Sequence, residues 1–284
     1  MSKVAIVTDS TAYLPQEIID QYSIHVVPLF VNWDGETFLD GVDIMPKEFY
    51  ERLQKSANLP TTSQPPVGAF EVMFQKLHAQ GYDIISILIS SGISGTVTSA
   101  IQAKELLPEA NIEVIDSQTA AMAAGLHVFA VAQAAAEGAS LEECKAIAQK
   151  AQTHTDVVFA VDTLEFLHRG GRIGGAKRFL GSMLNIKPIL EMRGGKIEAV
   201  EQVRTQRKAL NHLICLTKER MSKNPPAQLA VFHSNVPDIA QSFLGKVEGE
   251  IDTQNSFIAE LSPVIGTHVG PGTIGLACMS GMAD

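Results

Sequence analysis

Four hydroxyl-bearing stretches and one histidine carry most of the chemistry this chain could support. The densest is Ser90-Ser91-Gly92-Ile93-Ser94-Gly95-Thr96, which follows the apolar run 83–89. Beyond it, apolar residues recur at helical spacing through Val97, Ala100, Ile101 and Leu107. That order predicts a strand, a small-residue loop and a helix. In open α/β sheets ligands bind at the carboxyl ends of strands, where such loops sit. The helix start adds unpaired N–H groups and a dipole that favours an anion. The loop reads either as a cradle of neutral donors for an oxyanion or as a tight turn with an N-cap at Ser94 or Thr96. Two enzyme templates fail on it. A phosphate loop requires Gly-Lys before Ser or Thr, and no Lys is present. A nucleophile elbow requires Gly-x-Ser-x-Gly, and Thr96 occupies the last position.

A second stretch, Thr61-Thr62-Ser63-Gln64, lies between Pro60 and Pro65-Pro66. Flanking prolines hold it extended. It is either a connection with a cap or a second donor arm facing Ser94. Asp9-Ser10-Thr11 and Asp116-Ser117-Gln118 both follow apolar strand patterns, where a carboxylate and a hydroxyl would cap the next helix. His268 sits in Gly266-Thr267-His268-Val269-Gly270-Pro271-Gly272-Thr273, which reads as an irregular loop before a last strand, 274–279. His168-Arg169-Gly170-Gly171-Arg172 places two arginines on a bendable backbone, and Arg is suited to bidentate contact with carboxylate or phosphate. No His, Cys or Asp grouping has metal-ligand spacing, so no metal site is expected.

The elements that must position these residues alternate regularly. Strand patterns at 3–8, 25–33, 83–89 and 111–115 are separated by helical ones at 15–22, 43–55, 67–80, 96–107 and 119–136. Ser140 and Glu143 form a capping box for a helix to about residue 152. This alternation predicts a parallel sheet with helices on both faces. After residue 155 the pattern shifts. Strands at 156–161, 186–191 and 196–203, the last two a hairpin around Arg193-Gly194-Gly195, mix with helices at 206–221 and 237–246. The expected organisation is two α/β domains, 1–154 and 155–284.

The chain has 284 residues, 45% of them apolar and 19% charged, enough for sizeable cores. Cys144, Cys215 and Cys278 are far apart and lack metal spacing, which fits buried or incidental thiols in a reducing compartment. The longest apolar stretch, 119–136, carries His127 and Gln133 and reads as a buried core helix rather than a membrane span. A soluble, cytoplasmic protein without stable membrane insertion is expected. The net charge of −9 argues against nucleic-acid binding. Residues 168–208 nevertheless hold ten Lys and Arg against Glu191, Glu198 and Glu201. That basic island is either a solvated face or a contact for a phosphate or an acidic partner.

Taken in order, Asp9-Ser10-Thr11, Thr62-Ser63-Gln64-Pro65, Ser90 to Thr96, Arg169-Gly170-Gly171-Arg172 and His268-Val269-Gly270-Pro271-Gly272 resemble the DegV family of bacterial fatty-acid-binding proteins. The resemblance spans nearly the whole chain. It implies a Rossmann-like parallel-sheet amino-terminal domain, a second mixed α/β domain and a ligand tunnel between them. It also implies that Thr62 and Ser94 hydrogen-bond the carboxylate of one long-chain fatty acid, with Ser63, Gly95, Thr96 and His268 near the head group. Arg169, Arg172 and Arg204 match positions that handle the phosphate or dock a partner. That partner would be a fatty acid kinase subunit, which turns the bound acid into an acyl phosphate for phospholipid synthesis. On this reading the protein has no catalytic residue and no cofactor beyond its lipid. The apolar helix 119–136 and the Met- and Phe-rich segment 179–184 would be candidates for the tunnel wall. The competing expectations are a hydrolase or small-molecule phosphotransferase using Ser94 and His268, and a lipid sensor that shares the pocket but not the kinase.

Overall fold

Short apolar runs become strands buried on both faces, and their alternate residues enter different cores. The computed structural model describes residues 3–181, 186–221 and 227–282. The first part of the chain forms β1 (Val4–Asp9), α1 (Gln16–Gln21), β2 (His25–Val27), β3 (Phe30–Trp33), β4 (Glu36–Leu39), α2 (Pro46–Lys55), β5 (Thr61–Ser63), α3 (Val67–Ala79), β6 (Asp83–Leu88), α4 (Thr96–Glu105), β7 (Ile112–Asp116), α5 (Ala121–Ala136) and α6 (Leu141–His154). The rest forms β8 (Thr155–Ala160), α7 (Glu165–Arg169), β9 (Lys187–Arg193), β10 (Lys196–Val203), α8 (Gln206–Met221), β11 (Ala227–His233), α9 (Pro237–Glu248), β12 (Thr253–Glu260), α10 (Pro263–Val269) and β13 (Ile274–Ser280).

Strands β2-β1-β6-β7 make a parallel sheet. A mixed sheet has the order β10-β9-β8-β13-β11-β12, antiparallel except for the parallel β11–β12 pair. A small antiparallel sheet, β4-β3-β5, carries Thr62 opposite Val31. The protein is thus an α/β structure with a parallel sheet at the amino-terminal end and a second, mixed sheet.

The period-two alternation fixes the layering. Ala5, Val7, Ile84 and Leu88 pack against α3 and α4, whereas Ile6, Ile85 and Ile87 face α5 and α6. In the mixed sheet Phe159, Phe232 and Met279 face the same α5 and α6, while Val158, Val231 and Leu276 face α8 and α9. One helix layer is therefore shared by both sheets. This explains why α5 is apolar all round: a helix covered on every side has no polar face to expose. Its expected part in a tunnel wall gives way to this role as the central layer. Of the segment 179–184, residues 182–184 lie outside the described residues, and Phe179 packs against the shared core.

Three local expectations need correction, and one strand went unforeseen. The pattern 25–33 splits at Pro28 into β2 and β3, which join different sheets. Residues 61–63 form a true strand. β12 carried no expectation. His268 lies in α10 rather than in an irregular loop, because Ser262 caps Ile265 N and Pro263 opens the first turn. The capping box at Ser140 and Glu143 is present as expected. All three cysteines are free, with Cys144 and Cys278 buried and Cys215 exposed.

Since Leu126 is fully buried in the shared layer, Leu126→Ala should cost about 2–5 kcal/mol. Urea unfolding followed by far-UV dichroism and by Trp33 fluorescence should shift together. Two separated transitions would contradict the shared core.

Candidate functional site

Residues from both sheets meet around one partly enclosed cavity of about 70 Å³. From the first half come Thr62, Ser63 and Gln64 of the β5 arm and Ser94 of the loop after β6. From the second come Arg172, Ile197 and His268. Leu29, Ile89, Ile93, Leu167, Val264, Ile265 and Val269 complete a largely apolar wall.

The loop that carries Ser94 is held by buried polar contacts. Asp9 at the end of β1 accepts Ile89 N at 2.7 Å and Thr11 N at 2.9 Å. Burial pushes the Asp9 carboxyl up, and these hydrogen bonds pull against that shift. Ser90 Oγ donates to Gly195 O at 2.7 Å, which ties the loop to the β9–β10 hairpin. Asp116 was expected to cap α5, but the residue before α5 makes no side-chain cap. Asp116 instead accepts the Ser91 hydroxyl and, at 3.2 Å, Ser91 N. Arg172 Nε donates to Ile93 O at 3.1 Å. Ser94 thus sits on a loop held by four partners, Asp9, Gly195, Asp116 and Arg172.

Thr96 and Gly95 stand behind the cavity. Ser94 Oγ and Thr96 Oγ1 are hydrogen-bonded at 2.8 Å, and Thr96 is fully buried. The N-cap position of α4 is Gly95, which has no side chain to cap with, and Ser94 Oγ accepts Thr96 N, the first N–H of the helix, at a long 3.4 Å. Gly95 leaves room for the Gln64 amide, from which a Cβ there would fall 2.5 Å unless the Gln64 side chain moved. The two hydroxyl arms therefore touch, which the sequence could not measure. Ser63 Oγ accepts Asn32 Nδ2 at 3.3 Å.

Thr62 Oγ1 and His268 Nε2 lie 2.8 Å apart and join the two halves. When Nε2 carries the proton it donates to Thr62, whose own hydroxyl proton is then free for a ligand. His268 Nδ1 is buried without a partner among the described residues. It packs against Gly170, where any side chain would collide with the ring. Burial first, and then the Arg172 charge, pull the imidazole down to about 4, so it is neutral at pH 7.

The arginines divide. Arg172 lines the cavity and also donates Nη1 to Gly170 O at 2.7 Å. The site is therefore not built from neutral donors alone. Arg169 is exposed and pairs with Glu165 at 2.7 Å, and Arg204 is exposed. Neither lines the cavity. Gln64 carried no expectation of its own beyond its place beside Thr62 and Ser63, and the residues that form the apolar wall are other than the expected stretches 119–136 and 179–184, from which no described residue lines this cavity.

Hydroxyls, an uncharged imidazole and one guanidinium beside apolar walls are the chemistry that could take an amphipathic anion. Comparison with known proteins agrees with the fold and places the family. A family model described as an uncharacterised protein of the DegV family matches residues 3–281. A DegV domain-containing protein of Listeria innocua is 38% identical over 275 residues, covering 96% of this chain and 97% of that protein. A DegV family protein from Thermus thermophilus, described as fatty-acid binding, superimposes with a TM-score of 0.94 at 34% identity, covering 98% of this chain and 99% of that one. A stearic acid-binding protein from Eubacterium ventriosum superimposes with a TM-score of 0.91 at 28% identity over 99% of both chains. The chain belongs to the DegV family.

The folded His268 titrates near 4 and an unfolded histidine near 6.5, so only the unfolded chain binds this proton between those values. His268 therefore removes stability as pH falls from about 6.5 towards 4, and buried His127, also held near 4, acts in the same sense. NMR titration of the His268 ring should give a midpoint near 4. A midpoint above 6 would contradict its burial against Gly170 and Arg172.

Proposed function

We propose that this protein binds one long-chain fatty acid, holding its carboxylate with Thr62 and Ser94 and presenting it to a separate kinase. The observation that carries the reading is the convergence of Thr62, Ser94, Arg172 and His268 on one cavity whose remaining walls are apolar. A buried carboxylate without donors is very costly, and here two hydroxyls and a guanidinium are within the same small space. Ser63 lines the head-group end, while Gly95 and Thr96 set the position of Ser94. His268 orients the Thr62 hydroxyl. Each methylene removed from water adds about 0.8 kcal/mol, so the tail supplies most of the affinity. Relatives described as fatty-acid binding support the ligand class.

The kinase step rests on charge. Arg169 and Arg204 are exposed within the basic stretch 168–208, and Arg172 stands between that surface and the cavity. They would meet the acidic surface of a kinase subunit and the phosphate of the acyl phosphate, which then enters phospholipid synthesis. We further infer two α/β domains, 1–154 and 155–284, that meet across α5, and a cytoplasmic setting. No described helix is long and apolar enough to cross a membrane. No catalytic residue is assigned. A hydrolase would need His268 bonded to Ser94, yet His268 pairs with Thr62 and Ser94 with Thr96.

Native mass spectrometry of the purified chain should reveal one bound long-chain fatty acid, released on denaturation. Thr62→Ala combined with Ser94→Ala should lower fatty-acid retention by about tenfold or more; an unchanged lipid content would refute the head-group assignment. Charge reversal at Arg169, Arg172 and Arg204 should abolish acyl phosphate formation with the kinase. Undiminished formation would separate the protein from that role.

A further inference from the structure

We propose that Asp40 is a positioning residue for the fatty-acid site, fixing the α10 wall and His268 from a place outside the cavity. The inference rests on the fatty-acid reading above. Asp40 follows β4 and is buried, at 1% exposure. Ser10 Oγ donates to its Oδ2 at 2.7 Å, and Val264 N, in the first turn of α10, donates to its Oδ1 at 3.2 Å. Its own backbone N donates to Leu29 O at 2.9 Å, while Leu29 N donates to Ser10 Oγ at 3.1 Å. Leu29 and Val264 both line the cavity, as do Ile265 and His268 further along α10. One carboxyl group therefore links the loop after β1, the wall residue Leu29 and the helix that presents His268 to Thr62. Residues 40 and 264 lie on opposite sides of the 154/155 boundary, so this link also joins the two halves.

Asp40 also lines a separate cleft of about 530 Å³, together with Val42 and Met45, both exposed. Protons can reach Asp40 through that cleft without passing the ligand. The titratable groups around Asp40 are Asp9 at the end of β1, Tyr13 after the turn that follows it, Tyr50 of α2 and Glu260 at the end of β12. None is a cation. Burial above all pushes the Asp40 carboxyl up, to about 7, with Asp9 adding to the shift while Ser10, Val264 and Ser262 hold it down. The ionised form accepts from Ser10 and Val264 with both oxygens. Protonation turns one of those acceptors into a donor that faces another donor, and the hold on α10 weakens. His268 titrates near 4, so a transition near 7 does not originate there.

The test is the rate at which the full-length protein, loaded with radiolabelled stearate, releases it into neutral phosphatidylcholine vesicles between pH 5.5 and 8.5. Wild-type release should slow as pH rises through about 7. Asp40→Asn should release about five- to tenfold faster at pH 8 and show no inflection. Ser10→Ala removes a donor to the carboxylate, so its inflection should move to higher pH. Thermal unfolding of each variant is measured alongside, and Ser10→Ala keeps the test open if Asp40→Asn does not fold. Release from Asp40→Asn that matches wild type in rate and inflection overturns the assignment, as does an inflection in Ser10→Ala that stays in place or moves down. A wild-type chain that retains no stearate at any pH overturns the fatty-acid reading itself.

Discussion

Everything in this structure depends on one constraint: two sheets, each buried on both faces, share a single layer of helices. α5 and α6 fill that layer, with Ile85 and Ile87 on one side and Phe159 and Phe232 on the other. Residues that enter from either side can therefore meet only where the layer ends. At that edge the loop after β6, the β5 arm, the turn after α7 and α10 converge. A shared core also holds their separation steady, which the 2.8 Å hydrogen bond between Thr62 and His268, across the two halves of the chain, requires. The cavity is as much a product of α5 as of the residues that line it.

Polar groups at the edge then do two kinds of work. Asp9, Asp40, Ser90 and Asp116 are consumed in holding backbone, and little of their capacity is left for a ligand. Thr62 and Ser94 each make one side-chain hydrogen bond, to His268 and to Thr96; where the neighbour is the donor, the Thr62 or Ser94 hydroxyl proton is left for a ligand. His268 contributes by staying neutral. A charged imidazole there would stand beside Arg172 and would hold an anion more firmly, at a cost in desolvation that burial makes large. Close approaches complete the arrangement. Gly95 lets Gln64 lie against the Ser94 loop, and Gly170 lets the His268 ring seat itself.

Much of this was legible beforehand. Short apolar runs of strand length marked β1, β6 and β7, and 3.6-residue spacing marked the helices between them. The Ser140 and Glu143 pair marked the start of α6. The hydroxyl clusters and His268 were visible as chemistry because their residue types and glycine settings are unusual. β12 was not visible: Thr253 to Glu260 mixes polar and apolar residues, as suits a sheet edge that is only half covered. α10 was obscured by its glycine and by the Gly-Pro-Gly that follows, although Ser262-Pro263 is an ordinary helix start. Pro28 broke what looked like one strand, because the chain there passes from one sheet to another.

Residue order alone determined the alternation of strands and helices, the capping chemistry and the stock of hydroxyls, since each follows from local periodicity or from neighbours a few positions away. Tertiary structure decided which of those groups face one another. Thr62 and His268 are separated by 206 positions and Asp40 and Val264 by 224, and no local pattern specifies contacts at that range. It also decided that Arg172 turns into the cavity while Arg169 stays outside, although both follow from the same short motif. Arg172 donates to Ile93 O, 79 positions away, a contact that exists only once the two halves have closed on their common helix layer, whereas Arg169 takes Glu165 one turn back on its own short helix.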